Sequence, residues 1–334
     1  MEHKAITISV VIPVYNVSDY VERCLKSVMG QTFQDFECIF VDDVSTDDSI
    51  VKCERLIAEY HGSIRFRILH HELNRGLSAA RNTGTEAAIG DYVLYVDSDD
   101  IITDDCIEKL MAPIQQDDSI EMVMGNYERF AVGTQLPIHH KKHGHEMLAT
   151  QEAVRNGFFD RKDIYNMAWN KLTKKDFLQT NGLTFREGVI WEDYLWTFNV
   201  MKYLKHLCMI ENVTYLKYQR SDSIVLGSDM NTKLYNWGKV YHEISNNFTP
   251  GDSNMEAQYY VVGFCKQYIH CFHDELYRET AKNFRLELSW VKNPSKYLRL
   301  VITDILARSW IGRQCYRAIG KLHGKIHRFS CRVC

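Results

Sequence analysis

Four polar residues, Asp97-Ser98-Asp99-Asp100, follow directly after the short apolar run Tyr92 to Val96. Hard oxygen ligands of this kind suit Mg²⁺ or Mn²⁺, which bind few carboxylates and keep coordination positions for phosphate oxygens. An isolated Asp-x-Asp is more often a solvated turn or a helix cap, because Asp and Ser favour both. The position of this run at the end of a buried strand favours a metal site instead.

A second pair of carboxylates, Asp42 and Asp43, follows another apolar run. Either can accept the imide N–H of uracil or a ribose hydroxyl, and Tyr15 offers an aromatic face on which a base can stack. The alternatives carry equal weight, since Asp43 can cap the following helix and Tyr15 can pack in the core. Arg81 can reach a base or a phosphate as a cation, or form a surface salt bridge.

Glycine-rich phosphate loops are absent from the sequence. The first turn reads Pro13-Val14-Tyr15-Asn16, and neither G-x-G-x-x-G nor G-x-x-x-x-G-K-[ST] occurs. The backbone nest with which dinucleotide-binding and P-loop proteins hold phosphates is therefore missing. A metal ion becomes the expected partner of a diphosphate.

The first hundred residues alternate strand and helix signals, which would bring these side chains together. Continuous apolar runs predict four buried strands, at Ile6 to Tyr15, Phe36 to Val41, Ile64 to Leu69 and Tyr92 to Val96. Helical periodicity predicts helices between them, beginning near Asp19, near Ser45 and at Leu77. The βαβαβαβ order implies an α/β fold, with a mainly parallel sheet and helices on both faces. Because ligands bind at the carboxyl ends of such strands, we expect the polar residues there to share one crevice.

Five motifs in this region resemble those of the family 2 glycosyltransferases, in the order and spacing of that family. They lie at Ser9 to Asn16, Gln31 to Phe33, Val41 to Asp47, Asn74 to Asn82 and Tyr95 to Asp100. The resemblance implies a Rossmann-like GT-A fold, inversion at the anomeric carbon, Mn²⁺ or Mg²⁺ as cofactor and usually a UDP-sugar donor.

The resemblance also assigns roles to particular residues. The family's nucleoside-holding positions correspond to Pro13, Tyr15, Asp43 and Arg81, its donor-contacting position to Asp97 and its metal ligand to Asp99. The expected donor-binding set is completed by Asp42, Asn74 and Ser98. One departure is Val44, where the family commonly has glycine. Because glycine permits φ > 0 at no cost and valine does not, we expect the loop after Asp43 to take a different path.

Trp191-Glu192-Asp193 resembles the Glu-Asp pair of the family, whose Asp serves as general base. An acceptor hydroxyl must lose its proton as it attacks the anomeric carbon, so Asp193 is the expected catalytic base, with Glu192 beside it. The alternative is that both acids only favour the first turn of a helix from Tyr194 to Leu204.

Three further positions resemble weaker family features. Trp169 and Lys171 lie in a segment expected beside the acceptor, and Arg220 lies in one that can bring a cation to the diphosphate.

We expect residues 1–225 to form the GT-A domain, with 1–120 binding the nucleotide-sugar and 121–225 the acceptor, and residues 226–334 to form a mostly helical C-terminal region. From Lys296 onward, nine Lys and Arg stand against Asp304 alone. In this tail, 296–334, apolar residues recur at helical spacing, which indicates a helix lying on an anionic membrane surface or one packed on the body. The interleaved apolar residues favour membrane over nucleic acid as the partner.

The sequence also predicts the cellular compartment of the protein. Its ten cysteines are scattered, no N-terminal signal pattern precedes them, and no apolar stretch approaches the roughly 18 to 20 residues that span a bilayer. We expect a cytoplasmic protein, peripheral on the inner face of the cell membrane if the tail binds there.

The predicted activity is transfer of one sugar from a nucleotide-sugar to a hydroxyl of a saccharide or lipid-linked glycan, in the synthesis of a cell-surface polysaccharide or glycolipid. Two alternatives remain. One is a polyprenyl-phosphate glycosyltransferase, whose lipid phosphate acceptor needs no base. The other is a non-catalytic nucleotide-sugar-binding subunit.

Overall fold

The structure is a computed structural model, and it describes residues 7–131, 134, 136–141, 143–220 and 230–246. The strands, in chain order, are β1 Ile8–Val14, β2 Glu37–Asp42, β3 Arg65–His70, β4 Tyr92–Tyr95, β5 Ile101–Ile102, β6 Met122–Phe130, β7 Pro137–Lys141, β8 Glu146–Leu148, β9 Lys171–Lys174 and β10 Leu207–Tyr218. The helices of the described residues are α1 Val21–Met29, α2 Ser49–Ala58, α3 Leu77–Ala87, α4 Cys106–Gln116, α5 Gln151–Asn156, α6 Lys175–Thr180, α7 Glu192–Tyr203 and α8 Met230–Asn246, with a π-helical turn at Gly157–Arg161.

The first four strands form the parallel half of the sheet, in the order β3-β2-β1-β4. β1 is buried along its whole length, as expected of an apolar strand covered on both faces. Right-handed crossovers in this strand order place α1 and α2 on one face and α3 on the other. The predicted α/β fold is confirmed, and each of the four predicted strands ends within two residues of the observed one.

The remaining strands make the sheet mixed beyond β4. β9 pairs antiparallel with both β4 and β6, whereas β10 runs parallel to β6 and antiparallel to β5. β7 and β8 add short antiparallel pairings to β6 and β10. β5 directly follows the polar run Asp97 to Asp100. Because β10 pairs with β5, this strand from late in the chain lies next to that run.

The loop after β2 does not show the expected change of path. Val44 has a φ of 63°, the left-handed conformation that glycine would adopt at this position. The turn is held by the Ser45 N–H, which donates to Asp42 Oδ1 at 2.9 Å, and by the Thr46 N–H, which donates to Asn16 Oδ1 at 2.8 Å. These bonds outweigh a conformational cost of about 1–3 kcal/mol for a non-glycine residue. Ser45 and Thr46 belong to this hydrogen-bonded turn, and α2 therefore begins at Ser49, later than predicted.

The chain divides into two compact units, residues 1–228 and 229–334. Of the second unit, the structure describes a single helix, α8. The predicted basic tail, 296–334, lies outside the described residues, and the domain boundaries stay a prediction. Among the described residues, no helix is both long and apolar enough to cross a membrane.

Candidate active site

The carboxyl ends of β1, β2 and β4 meet at one edge of the sheet, because the three strands are parallel neighbours. The Asp43 N–H donates to Val14 O at 2.9 Å, which ties the end of β2 to that of β1. On the other side, the Val96 N–H donates to Val11 O at 3.1 Å and brings the segment after β4 beside β1. The polar residues after these strands therefore share one edge, as the sequence predicts.

Three carboxylates form an acidic cluster after β4. Asp97, Asp99 and Asp100 each place one oxygen within 4.8 Å of the others. The side chains of Asp97 and Asp99 are 19% and 16% exposed, whereas Ser98 and Asp100 are buried. Hard, partly exposed oxygen ligands fit Mg²⁺ or Mn²⁺, and Asp99, the predicted ligand, would hold the ion.

Asp100 differs from its two neighbours because it is fully buried and three protein donors bind its carboxylate. It accepts hydrogen bonds from the Tyr215 hydroxyl at 2.8 Å, from Lys217 Nζ at 2.9 Å and from the Tyr218 N–H at 2.8 Å. Burial raises the pKa of Asp100 to about 7, against the attraction of Lys217. Asp100 thus supports the cluster and is poorly placed to bind a metal ion.

Arg81, on α3, connects this cluster to a second pair of acids. Its Nη2 donates to Asp97 Oδ1 at 2.8 Å, and its Nη1 donates to Glu192 Oε1 at 2.8 Å and Asp193 Oδ1 at 2.7 Å. The side chain is 1% exposed. The sequence predicts a nucleoside contact for Arg81, but here its guanidinium lies beneath the site and is bound to carboxylates. This arrangement favours a positioning role.

Glu192 and Asp193 occupy the first turn of α7, which begins two residues earlier than predicted. Trp191, at a φ of 66°, turns the chain into the helix. Burial raises the pKa of Glu192 to about 7 and, with Asp97 nearby, also raises the pKa of Asp193. A raised pKa brings a carboxylate closer to the range that suits a general base near neutral pH.

Asp43 is the centre of the group of residues predicted to bind the nucleoside. Its Oδ1 accepts from the Arg75 N–H at 2.8 Å and lies 2.7 Å from His71 Nδ1, and its Oδ2 accepts from the Gly76 N–H at 2.7 Å. Asn74 Nδ2 donates to the Asp43 carbonyl at 3.0 Å. The loop before α3 therefore holds this carboxylate in one orientation.

The other predicted nucleoside residues differ in exposure. Tyr15 is 47% exposed, so its ring is free to stack on a base, whereas Pro13 is buried in β1. Asp42 is nearly buried, and its Oδ2 lies 3.1 Å from His70 Nδ1. The structure thus brings together at the strand ends the residues predicted to bind the donor.

Two of the weaker predictions fall on buried residues. Trp169 is 2% exposed and stacks on Tyr215, with ring centroids 4.3 Å apart. Lys171 is fully buried, and its Nζ donates to Tyr165 O at 2.5 Å and Met167 O at 2.6 Å. Burial lowers the pKa of Lys171 to about 7. Both side chains are therefore packed in the protein interior, and their expected place beside the acceptor stays a prediction.

Arg220, the third weaker prediction, lies at the acidic cluster. Its Nε is 3.1 Å from Asp99 Oδ2. Sequence reasoning missed Lys217, near the end of β10, whose Nζ reaches Asp100 and Asp97. The available signal was the alternation of Tyr215 and Lys217 along β10, which puts both side chains on one face.

Comparisons with known proteins agree with this geometry. The model of the family described as "Glycosyl transferase family 2" matches residues 9–183. Glycosyltransferase GlyG of Streptococcus pneumoniae serotype 4 is 32% identical over 231 residues, which cover 65% of this chain and 72% of GlyG. Poly(ribitol-phosphate) beta-N-acetylglucosaminyltransferase TarP of Staphylococcus aureus is 22% identical over 306 residues, or 89% of this chain and 90% of TarP.

Among solved structures, S. aureus TarS 1-349 in complex with UDP-GlcNAc is similar, with a TM-score of 0.66 and 19% sequence identity. The match covers 93% of this chain and 92% of that one, and it confirms the GT-A fold. From the family match, the 32% identical relative and this fold together, we conclude that the protein belongs to the family 2 glycosyltransferases.

Proposed function

We propose that this glycosyltransferase is an inverting, metal-dependent enzyme, which transfers a sugar from a UDP-sugar to a hydroxyl of a saccharide or lipid-linked glycan. The observation that carries the proposal is the position of the Arg81 guanidinium. Its two terminal nitrogens donate hydrogen bonds to Asp97 at 2.8 Å and to Asp193 at 2.7 Å. One guanidinium thereby fixes Asp97, the proposed donor contact, relative to Asp193, the proposed base. Such fixed geometry is what a displacement reaction requires.

Asp193 acts as the general base in this proposal. The acceptor oxygen attacks the anomeric carbon from the face opposite the diphosphate, its proton passes to an Asp193 carboxylate oxygen, and the bond from the anomeric carbon to the diphosphate oxygen breaks. The attack from the opposite face inverts the anomeric configuration. The raised pKa of Asp193 supports this role, because it makes the carboxylate a stronger base.

The proposed metal ligand is Asp99, and Asp97 lies beside it as the proposed donor contact. A divalent ion bound there supplies Lewis-acid stabilisation of the leaving diphosphate. The partial exposure of both side chains supports this assignment, since a metal that also binds the donor phosphates needs open positions.

UDP is the proposed nucleotide of the donor. In this proposal Asp43 accepts the uracil imide N–H, with Asn74 bound to its backbone carbonyl, Asp42 next to it in the chain and the exposed ring of Tyr15 stacking on the base. UDP-GlcNAc is the first sugar to test, because the name of TarP specifies N-acetylglucosamine transfer and the TarS complex contains UDP-GlcNAc.

The acceptor is proposed to be a cell-surface polymer or its lipid-linked precursor. TarP supports this class, since the acceptor in its name is poly(ribitol-phosphate). The basic tail, 296–334, would hold the enzyme on an anionic membrane where such acceptors lie. The protein would then work at the inner face of the cell membrane.

The test uses the full chain, a panel of UDP-sugars and Mn²⁺, with UDP release as the measurement. We expect slow release that EDTA abolishes, and a fall of about 100-fold or more in Asp193→Asn with UDP affinity unchanged. Asp176→Asn is the matched control, because Asp176 also lies in the first turn of a helix but is exposed. Its turnover should equal that of the wild type.

Two outcomes would contradict the proposal. Full transfer by Asp193→Asn would indicate an acceptor that needs no base, such as a polyprenyl phosphate. Failure of the wild-type protein to release UDP from any of these sugars with Mn²⁺ would indicate a non-catalytic binding subunit.

A further inference from the structure

Lys217, near the end of β10, extends its ammonium group into the acidic cluster. Its Nζ lies 2.9 Å from Asp100 Oδ2 and 3.3 Å from Asp97 Oδ2. The two carboxylates come from the segment after β4, more than a hundred residues earlier in the chain. β10 therefore supplies a fixed cation to the same edge of the sheet that presents the predicted metal ligand.

The two carboxylates restrain Lys217 in different ways. Asp100 is fully buried and accepts two other hydrogen bonds, so it cannot leave the cluster without breaking them. Asp97 is bound on its other oxygen by Arg81. Since both partners are themselves held, the ammonium position is set before any ligand arrives, which lowers the entropic cost of using it.

The Lys217 ammonium can nevertheless donate a further hydrogen bond to a ligand. An ammonium has three donors, and within the described residues its hydrogen bonds go to Asp97 and Asp100, which leaves one donor. Its side chain is 27% exposed, in contrast with the buried Asp100. An ammonium that served only to neutralise Asp100 would have no need of this exposure.

The charges of the cluster indicate which ligand this donor would meet. A diphosphate is an anion, and it must approach three carboxylates that lie within 4.8 Å of one another. Coulomb repulsion opposes that approach unless cations stand among the carboxylates. A metal on Asp99 would supply one cation, and the protein itself supplies Lys217, together with Arg81 on Asp97 and Arg220 on Asp99.

We propose that Lys217 contacts the diphosphate of the nucleotide-sugar donor and stabilises the negative charge that the leaving UDP carries. In this assignment Asp100 is a positioning residue that holds the ammonium, while Asp99 serves the metal. The inference rests on the proposed function, because it requires a nucleoside diphosphate as the donor's leaving group.

The test compares the affinities of UDP, UMP and uridine for the full chain in the presence of Mn²⁺, by titration calorimetry. We expect Lys217→Met to weaken UDP binding by roughly ten- to a hundred-fold, as the loss of a charge-assisted hydrogen bond would do. Uridine affinity should stay at the wild-type value, and Lys217→Arg should restore most of the UDP affinity. Lys205→Met is the matched control, since Lys205 is exposed and precedes the other end of β10.

Several results would overturn the inference. Equal losses of UDP and uridine affinity would mean that Lys217 only maintains the fold, and a thermal unfolding scan of each variant would then show a matching loss of stability. A gain of UDP affinity would mean that the lysine blocks the phosphate site. If Lys217→Met does not fold, Lys217→Gln keeps a hydrogen bond to Asp100 without the charge and must show the same selective loss.

The same titration separates this inference from the proposed function. Wild-type protein that binds no UDP contradicts the proposed donor. Wild-type protein that binds UDP, together with a Lys217→Met variant that binds it equally well, contradicts only the role of Lys217.

Discussion

At the residue scale, Glu192 and Asp193 share a single guanidinium nitrogen, Nη1 of Arg81. Two carboxylates this close in a buried site cannot both ionise easily, because each charge raises the free energy of the other. Burial and this neighbour raise the pKa of Glu192 to about 7, and the pKa of Asp193 is raised as well. Both carboxylates should therefore titrate above the pKa of an ordinary exposed carboxylate.

This pair predicts the pH dependence of the reaction. A general base works in its deprotonated form, so kcat should fall as the pH drops through the raised pKa of Asp193. In Glu192→Gln the carboxylate that shares Arg81 Nη1 is removed, so that the guanidinium pairs with Asp193 alone and lowers its pKa. The acid limb of the profile of kcat against pH, measured with a saturating UDP-sugar, should move to lower pH.

The control for this profile is Glu187→Gln, because Glu187 is 41% exposed and pairs with Arg75 outside the pair of acids. Its acid limb should coincide with that of the wild type. An acid limb in Glu192→Gln that stays in place or moves to higher pH would show that the two carboxylates do not share a titration.

At the element scale, the N-terminus of α3 shapes the nucleoside end of the site. Gly76 precedes the helix with a φ of 85° and a ψ of 170°, a region that only glycine occupies readily. Its N–H and that of Arg75 both donate to Asp43. The backbone conformation of one glycine therefore orients the carboxylate proposed to bind uracil.

Gly76→Ala should weaken UDP binding and lower the free energy of unfolding by about 1–3 kcal/mol. A Cβ at Gly76 would meet no atom within 4 Å, so the cost comes from the backbone and not from a clash. Urea unfolding and UDP titration measure the two effects. Gly144→Ala is the control, since Gly144 also has free space around it but lacks a positive φ, and it should change neither quantity. Equal behaviour of the two variants would refute the argument.

At the scale of the whole molecule, the charge is unevenly distributed along the chain. The last 39 residues carry nine Lys and Arg against Asp304, whereas the chain as a whole has a net charge of −3. Apolar residues, among them Ile305 and Trp310, lie between the basic ones. A basic segment of this kind gains free energy from an anionic surface and from burial of its apolar residues at the interface.

We therefore predict that the full chain floats together with vesicles that contain anionic lipid and does not float with purely zwitterionic vesicles. High salt should weaken the association with the anionic vesicles. Deletion of residues 296–334 should abolish flotation. A full-length variant in which Arg308, Arg313, Arg317 and Lys321 are changed to Gln tests the charge without truncation. Unchanged flotation of both variants would end the membrane proposal.

The sequence by itself determined the parallel half of the fold and the types of residue at its edge. Buried strands are recognisable as apolar runs, and parallel neighbours must end at one edge of the sheet. These two facts suffice to place Asp43, Asp97 and Asp99 in one crevice. The linked motifs also indicated the family, which the comparisons confirm.

The tertiary structure alone decided how these side chains pair. Arg81 meets Asp193, and Lys217 meets Asp100, across more than a hundred residues in each case. Charge pairing depends on distance in space, and no local pattern encodes which of several acids a given cation will reach. Likewise, the hydrogen bonds around Val44 hold it in a left-handed conformation that its side chain disfavours. Local preference gives way there because contacts between distant segments contribute more free energy than the residue's own conformation costs.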